Sequence, residues 1–417
     1  MPEGPEMRAS LRRSCRLASV AGICLLSACS QSNSGPASAP GGAQPTAVQK
    51  GFFRGGNVAG LSFVSGQQSG ITDATGAYTC ETNETVSFSI GAVDLGEMNC
   101  ATMAHAVVLA PSGQLMDPIA LNIMRLLLIL DQDSNPDNGV FISEPLRSIA
   151  QTWAPIDLSA ADFEPELTRI ISDIASVEQR VVNNVPGNGA ASTYLDASLS
   201  CAYSGVYVSV FGSGPFNTAT AAALTVFRDR AVDIDIGEFL LFRQEQIRPL
   251  FAQDTGSVQL GALPTIEGSG FTAEFDSPDT VSGEWTSGVA AQDIDTRGSF
   301  DASRMGHIDG EYRFTGMISG SGPSLSGAIL ISQIALKLEG DSFFGEAFDN
   351  IVGFRREVTG KRLPATNSYE LEVELLGSAT GTIVVDADGE PIGLQGDWPG
   401  LNGSVPDALE AVGCRLN

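Results

Sequence analysis

From residue 206 to the C-terminus, apolar and polar residues alternate one by one in short runs that end at glycine-bearing turns. The runs are Val206/Val208/Val210, Val232/Ile234/Ile236 against Asp233/Asp235, Tyr312/Phe314, Ile329/Ile331, and Leu371/Val373/Leu375 against Glu370/Glu372/Glu374. The turns include Asp309-Gly310, Gly320-Ser321-Gly322 and Asp388-Gly389. A period of two gives one buried and one wet face, which is the signature of a half-buried strand. Many such strands at even spacing predict an antiparallel β domain over 193–417, closed as a barrel or stacked as a sandwich. The Asp233/Asp235 and Glu370/Glu372/Glu374 ladders then read as solvated strand faces.

The segment before it differs. Residues 51–112 carry short β runs punctuated by glycine, with Val86, Phe88 and Ile90 alternating against Thr85, Ser87 and Ser89, and predict a small β-sandwich. Residues 113–186 read as a helical module. Asp117 as N-cap and Pro118 at the first position open a helix through Leu130 in which only Asn122 and Arg125 are polar, so it is buried nearly all round. Leu146, Ile149, Ala150 and Trp153 form one apolar stripe, and Leu167, Ile170, Ile171, Ile174 and Val177 another. The fold class expected is mainly β with a central helical module: N-terminal β-sandwich, helical insert, C-terminal antiparallel barrel or sandwich.

At the N-terminus Arg8, Arg12, Arg13 and Arg16 precede the apolar run Leu17 to Leu26 and then Ser27-Ala28-Cys29. A basic region, a short apolar region and small residues before a cut are what export requires, and the run is too short to span a bilayer. Residues 1–28 thus read as a signal peptide and 29–50, rich in Ser, Gly, Pro and Ala, as a flexible tether. Leu26-Ser27-Ala28-Cys29 resembles the lipobox of bacterial lipoproteins. The resemblance implies diacylglycerol and palmitate on Cys29, and Ser30 after it implies the outer membrane, facing periplasm or exterior.

Met1-Pro2-Glu3-Gly4-Pro5-Glu6 resembles the start of formamidopyrimidine-type DNA glycosylases, but it covers six residues, export would remove Pro2 and Glu3, and no Cys-x-x-Cys pair exists. Met7 is the more natural start. Without residues 1–28, which hold four Arg and two Glu, 19 basic and 47 acidic residues remain. A chain so acidic excludes a nucleic-acid partner.

Of the seven cysteines, Cys15 and Cys24 leave with the signal and Cys29 takes lipid, so Cys80, Cys100, Cys201 and Cys414 remain for an oxidising compartment. Three connectivities are open. Cys80–Cys100 with Cys201–Cys414 is preferred because each pair then lies within one proposed domain. Zinc is disfavoured by the cysteine spacing and by a histidine count of two, His105 and His307, both read as structural.

The stretch Gly60 to Phe63 through Thr72-Asp73-Ala74-Thr75-Gly76-Ala77-Tyr78 resembles the prealbumin-like modules of carboxypeptidase regulatory domains. The resemblance implies a non-catalytic β-sandwich and a hairpin in which Asp73 caps the turn and Gly76 is left-handed. Together with the helix and loop from Asn122 to Gly139, it is similar to a group of uncharacterised proteobacterial outer-membrane lipoproteins over residues 55–210, which transfers no catalytic residue.

One constellation looks like a site. Asp133, Asn135, Asp137, the Gly139 carbonyl and Glu144 follow the ligand spacing of an EF-hand-like calcium loop, with Asn138 where glycine is usual. The competing reading is an Asx-rich cap on the preceding helix. No Gly-x-Ser-x-Gly, His-Glu-x-x-His, Walker or Gly-x-Gly-x-x-Gly motif occurs, and no spacing singles out a glycosidase carboxylate pair. The expectation is a lipid-anchored envelope protein with a non-enzymatic binding or scaffolding role toward an envelope protein, glycan or lipid; the alternative is a glycan- or lipid-handling protein whose C-terminal β domain encloses its ligand.

Overall fold

A computed structural model describes residues 47–182, 185–211, 220–228, 232–236, 240–242, 251–252, 257–258, 270–286, 297–306, 312–320, 330–349, 354–398 and 407–415. The signal peptide, Cys29, most of the tether, Ile329 and His307 lie outside the described residues, as do the side chains of Val210, Ile331 and residues 232–236.

The N-terminal strands are β1 (Val48–Arg54), β2 (Val58–Ala59), β3 (Ser62–Ser65), β4 (Gln68–Ile71), β5 (Ala77–Glu81), β6 (Thr85–Ile90), β7 (Val93–Asn99) and β8 (Met103–His105). They form two sheets, β5-β1-β8 and β4-β3-β6-β7. The sheets meet through rings: Phe53 and Tyr78 each stand edge-on to Phe88 at 5.0 Å. Val86, Phe88 and Ile90 are fully buried, as their alternation predicts. β1 begins inside the segment read as tether, because Gln49 and Lys50 find ladder partners in Cys80 and Thr79.

The Asp73 turn has the expected chemistry but a different place. Asp73 Oδ1 accepts from Thr75 N at 2.8 Å and Ala77 N at 3.0 Å, and Gly76 takes φ +75° where a Cβ would lie 2.7 Å from the Phe53 carbonyl. It is not a hairpin, since β4 belongs to one sheet and β5 to the other. Buried Thr72 is the reason: its hydroxyl donates to Val58 O at 2.6 Å and accepts from Leu61 N at 2.9 Å. That holds the chain against the β2–β3 corner and turns it across the sandwich.

Then come α1 (Ala106–Leu109), α2 (Pro118–Leu130), β9 (Val140–Phe141), α3 (Glu144–Ala150), α4 (Glu164–Glu178) and α5 (Asn188–Tyr203). In α2, Asp117 caps Ile119 N at 2.8 Å and nearly every side chain is buried. The two polar ones tie down loops: Asn122 donates to Leu158 O and Ala160 O at 3.0 and 3.1 Å, and Arg125 donates to Pro186 O at 2.7 Å. One apolar cluster runs from Phe53 through Leu195 and joins sandwich and helices. Helix α5 reaches eleven residues into the segment expected to be β, 193 to 203. Its Ser and Thr disguise a helix that alanines 190, 191, 197 and 202 favour and that Ala191 and Leu195 anchor in the core.

His105 ends β8 and caps α1, its Nδ1 accepting from Val108 N at 3.4 Å. Burial pulls its pKa from 6.5 to about 4. As pH falls below 6.5 the unfolded chain gains a proton that the folded chain refuses. The contribution is therefore whole above pH 6.5 and is lost progressively down to pH 4, by about 3 kcal/mol. His105→Asn keeps an acceptor at the cap, and urea unfolding of this variant from pH 7 to pH 4 should show a shallower loss of stability; an unchanged slope would exclude His105 as its source.

The remaining chain forms β10 (Gly205–Phe211), β11 (Thr220–Val226), β12 (Val232–Ile236), β13 (Leu240–Phe242), β14 (Phe251–Ala252), β15 (Ser257–Val258), β16 (Gly270–Ser277), β17 (Thr280–Thr286) and β18 (Arg297–Arg304). After them come β19 (Tyr312–Gly320), β20 (Leu330–Glu339), β21 (Ser342–Asp349), β22 (Phe354–Leu363), β23 (Ser368–Val373), β24 (Gly377–Val385), β25 (Pro391–Trp398) and β26 (Asp407–Arg415). The first nine make one sheet, in which β10 pairs with β18, and the last eight close an antiparallel barrel. The sheet's Val206 and Val208, with Met305 just beyond β18, pack on barrel residues Ala335 and Phe348.

Inside the barrel, Phe314, Leu336, Phe343, Tyr369, Leu371, Leu394 and Trp398 belong to one buried cluster. Glycine at inward positions makes room for the largest of them. A Cβ on Gly381 or Gly396 would meet the Tyr369 hydroxyl at 2.5 Å. On β23 Tyr369, Leu371 and Val373 are buried while Glu370 and Glu372 are exposed. Leu375, expected to extend that inward row, is 89 % exposed at φ +64°, because the chain already reverses toward β24 there.

Candidate ligand-binding cleft

Both expected disulfide pairs are present, Cys80–Cys100 and Cys201–Cys414. The second fastens the last turn of α5 to the end of β26 and forms one wall of a cleft of about 440 Å³. The 135–137 loop, Tyr194, Ala197 and Ser198 of α5, and Arg228 form one side. Tyr312, Asp386, Asp388, Glu390, Ile392 and Arg415 at the end of the barrel form the other. The volume suits a small organic ligand.

Each side is held from below. Tyr194 Oη donates to Pro136 O at 2.7 Å and so pins the loop on α5; burial, then the charges of Asp137 and Asp131, push this phenol well above its ordinary range. Tyr312 Oη donates to Glu390, whose other oxygen lies 3.6 Å from the Arg415 guanidinium, and that guanidinium stands over the Tyr312 ring. Asp386 Oδ1 accepts from Asp388 N and Glu390 N at 2.9 Å, shaping the turn. Asp137 and Asp388 are exposed. Four carboxylates against two guanidinium groups leave the lining net acidic.

The last carbonyls of α5 face buried cations. Arg304 donates to Ala202 O, Ser204 O and Pro278 O at 2.7, 2.6 and 2.6 Å, and Arg313 donates to Ala202 O and Ser204 O at 3.1 and 3.0 Å. A helix C-terminus leaves orphan carbonyls and negative potential, and two guanidinium groups answer both. Burial first, and then the charge of Arg304, pull the Arg313 pKa well below its usual value. These contacts fix α5 against sheet and barrel at once. The sequence carries a faint signal for them: Arg313 stands alone between Tyr312 and Phe314.

The loop expected to bind calcium is compact. Asp133 Oδ1 accepts from Asn135 N at 2.9 Å and its Oδ2 from Asn138 Nδ2 at 2.7 Å, while Asn135 Oδ1 accepts from Asp137 N at 3.3 Å. Gly139 sits at φ +97°, its N donating to Pro136 O at 3.1 Å. Glu144 is exposed in the first turn of α3, behind the Ser143 cap. Among the described residues, no three carboxylate, imidazole or thiol groups converge on one point. The sequence places Asp131 at the start of this loop, 131–144, but counts ligands only from Asp133; the structure buries Asp131, at 0 % exposure. Burial drives its pKa up to about 6, against the opposing pull of the Phe141 N–H.

No helix among the described residues is long and apolar enough to cross a membrane. No family model matches the chain. No curated protein matches it either. A solved protein of unknown function from the DUF3598 family of Nostoc punctiforme is similar over 53 % of this chain and 98 % of its own, at 13 % identity and a TM-score of 0.16, too low to carry an argument.

Proposed function

We propose that this protein is an outer-membrane lipoprotein, anchored through lipid on Cys29, whose folded part holds a glycan bearing amino groups in the cleft without transforming it. The basic and apolar run ahead of Leu26-Ser27-Ala28-Cys29 supports the anchor. The observation that carries the binding reading is the cleft's polar, net acidic lining around about 440 Å³. Glu390 and Asp386 are tied to their neighbours, which suits holding a ligand, while Asp137 and Asp388 are exposed for contact with it. Hydroxyls match a wall of carboxylates and guanidinium groups, and ammonium groups match its sign. Buried side chains from all eight strands pack the barrel interior, which favours the cleft over a barrel cavity as the ligand's place.

The test is a calorimetric titration of the mature chain carrying Cys29→Ser with a glucosamine disaccharide and with its N-acetylated counterpart. Binding of the free amine is expected to be saturable, stronger than that of the acetylated sugar, and weakened about tenfold in Asp137→Asn/Asp388→Asn, the loss of a charge-assisted contact or two. Equal heats for both sugars, or binding untouched by the double variant, would refute the cleft reading. Radiolabelled palmitate entering the wild-type chain but not Cys29→Ser would uphold the anchor, and labelling of both would refute it.

A further inference from the structure

The end of α2 holds a buried acid with an unanswered oxygen. Asp131 follows Leu130 and is 0 % exposed. Its Oδ1 accepts from Phe141 N at 3.0 Å, but its Oδ2 is buried and no donor reaches it. Its side chain lies near that of Asp133, one carboxylate against another, with the Asn135 N–H a further donor in the neighbourhood. Two such groups, one of them out of water, do not stay side by side without a positive partner. The nearby guanidinium is occupied elsewhere: Arg180 donates to Ser134 Oγ and Ile129 O at 3.0 and 3.1 Å and pairs with Glu178 at 3.1 Å.

The partner is therefore a bound cation or a shared proton. Spacing favours the cation. Asp131, Asp133, Asn135 and Asp137 supply oxygens at alternate positions, as the first four ligands of a calcium loop do, starting two residues earlier than the sequence reading placed them. We propose that Asp131 and Asp133 hold a calcium ion at the end of α2, with Asn135 beside them and water completing the shell. Oxygen-only ligands select a hard cation, and a loop with two carboxylates at the ion suits the larger, less exacting calcium better than magnesium. The ion joins α2 to the 135–137 loop, a rim of the cleft, and the assignment stands whatever the cleft binds.

The experiment is calcium titration of the mature chain carrying Cys29→Ser by calorimetry at pH 7.5, with Tm measured with and without calcium. One site is expected, with a dissociation constant of about 10⁻⁴ to 10⁻³ M, the range of extracellular modules. Asp131→Asn, which keeps an acceptor for Phe141 N, should weaken it at least tenfold and abolish the calcium-dependent rise in Tm. A raised calcium-free Tm in this variant would show that it folds and that the buried charge had been uncompensated. Glu144→Gln should bind as the parent does. The assignment fails if no heat appears up to about 10 mM calcium, well above that affinity range, or if Asp131→Asn binds normally. It fails equally if the parent's Tm ignores calcium and rises only as the medium is acidified, which would identify the shared proton.

Discussion

Replacing Cys201 and Cys414 by serine is expected to lower the stability of the folded chain by about 5 kcal/mol. The two residues are 213 apart in sequence, and a cross-link over so long a loop removes much entropy from the unfolded chain. Cys80–Cys100 spans only 20 residues and should be worth about 3 kcal/mol on the same reasoning. Serine is tolerable locally, because Ser204 Oγ lies 3.6 Å from Cys414 Sγ and the Arg415 carbonyl 3.2 Å from Cys201 Sγ, so new hydroxyls have partners. Urea unfolding of the two double variants, Cys201→Ser/Cys414→Ser and Cys80→Ser/Cys100→Ser, compares the loops directly. Equal losses would contradict the loop-length argument. Because the bridge also forms a wall of the cleft, the long-loop variant should lose ligand binding along with stability.

Arg304→Met should cost about 3–5 kcal/mol, the usual penalty for removing one member of a buried charged network. The side chain donates to three carbonyls and to the Tyr207 hydroxyl at 2.6 Å, and methionine answers none of them. Arg313 shares two of those carbonyls, Ala202 O and Ser204 O, so the loss is softened there, and relief of repulsion between the two guanidinium groups offsets part of it. Pro278 O keeps a donor in the Tyr207 hydroxyl at 3.0 Å, but that hydroxyl loses the N–H it accepts from Arg304. Arg304→Lys supplies one ammonium where a planar fork reached four acceptors and should recover less than half. Arg313→Met and the double variant complete a cycle, in which coupling of at least about 0.5 kcal/mol is expected between residues sharing partners. A cost below about 1 kcal/mol for Arg304→Met would mean that the α5 carbonyls are satisfied without it.

Local chemistry was legible in the sequence. Period-two runs became strands with the faces assigned, as Val86/Phe88/Ile90 and Leu371/Val373 show, although Leu375, read as the next inward residue, is exposed. Asp117-Pro118 opened a buried helix and Asp73 capped its turn. The cysteine pairing came out as expected, but for Cys201–Cys414 not by the reason given, since Cys201 ends α5, a helix of the N-terminal core, and Cys414 lies in the barrel. These features depend on residues a few positions apart, where side-chain periodicity and capping decide the outcome.

What the tertiary structure alone decided involves distant partners. Nothing local says that the strands flanking Asp73 belong to different sheets, because buried Thr72 finds its acceptor in β2. Helix α5 reads as strand-like until Leu195 has a core to enter. The strands after residue 205 read alike, yet nine form an open sheet and eight close into a barrel, a choice set by which edges meet. The cleft gathers residues from 135 to 415, and Asp131 resembles its acidic neighbours until packing removes its water. Burial and convergence belong to the folded chain, and a site made of them leaves little mark on the order of its residues.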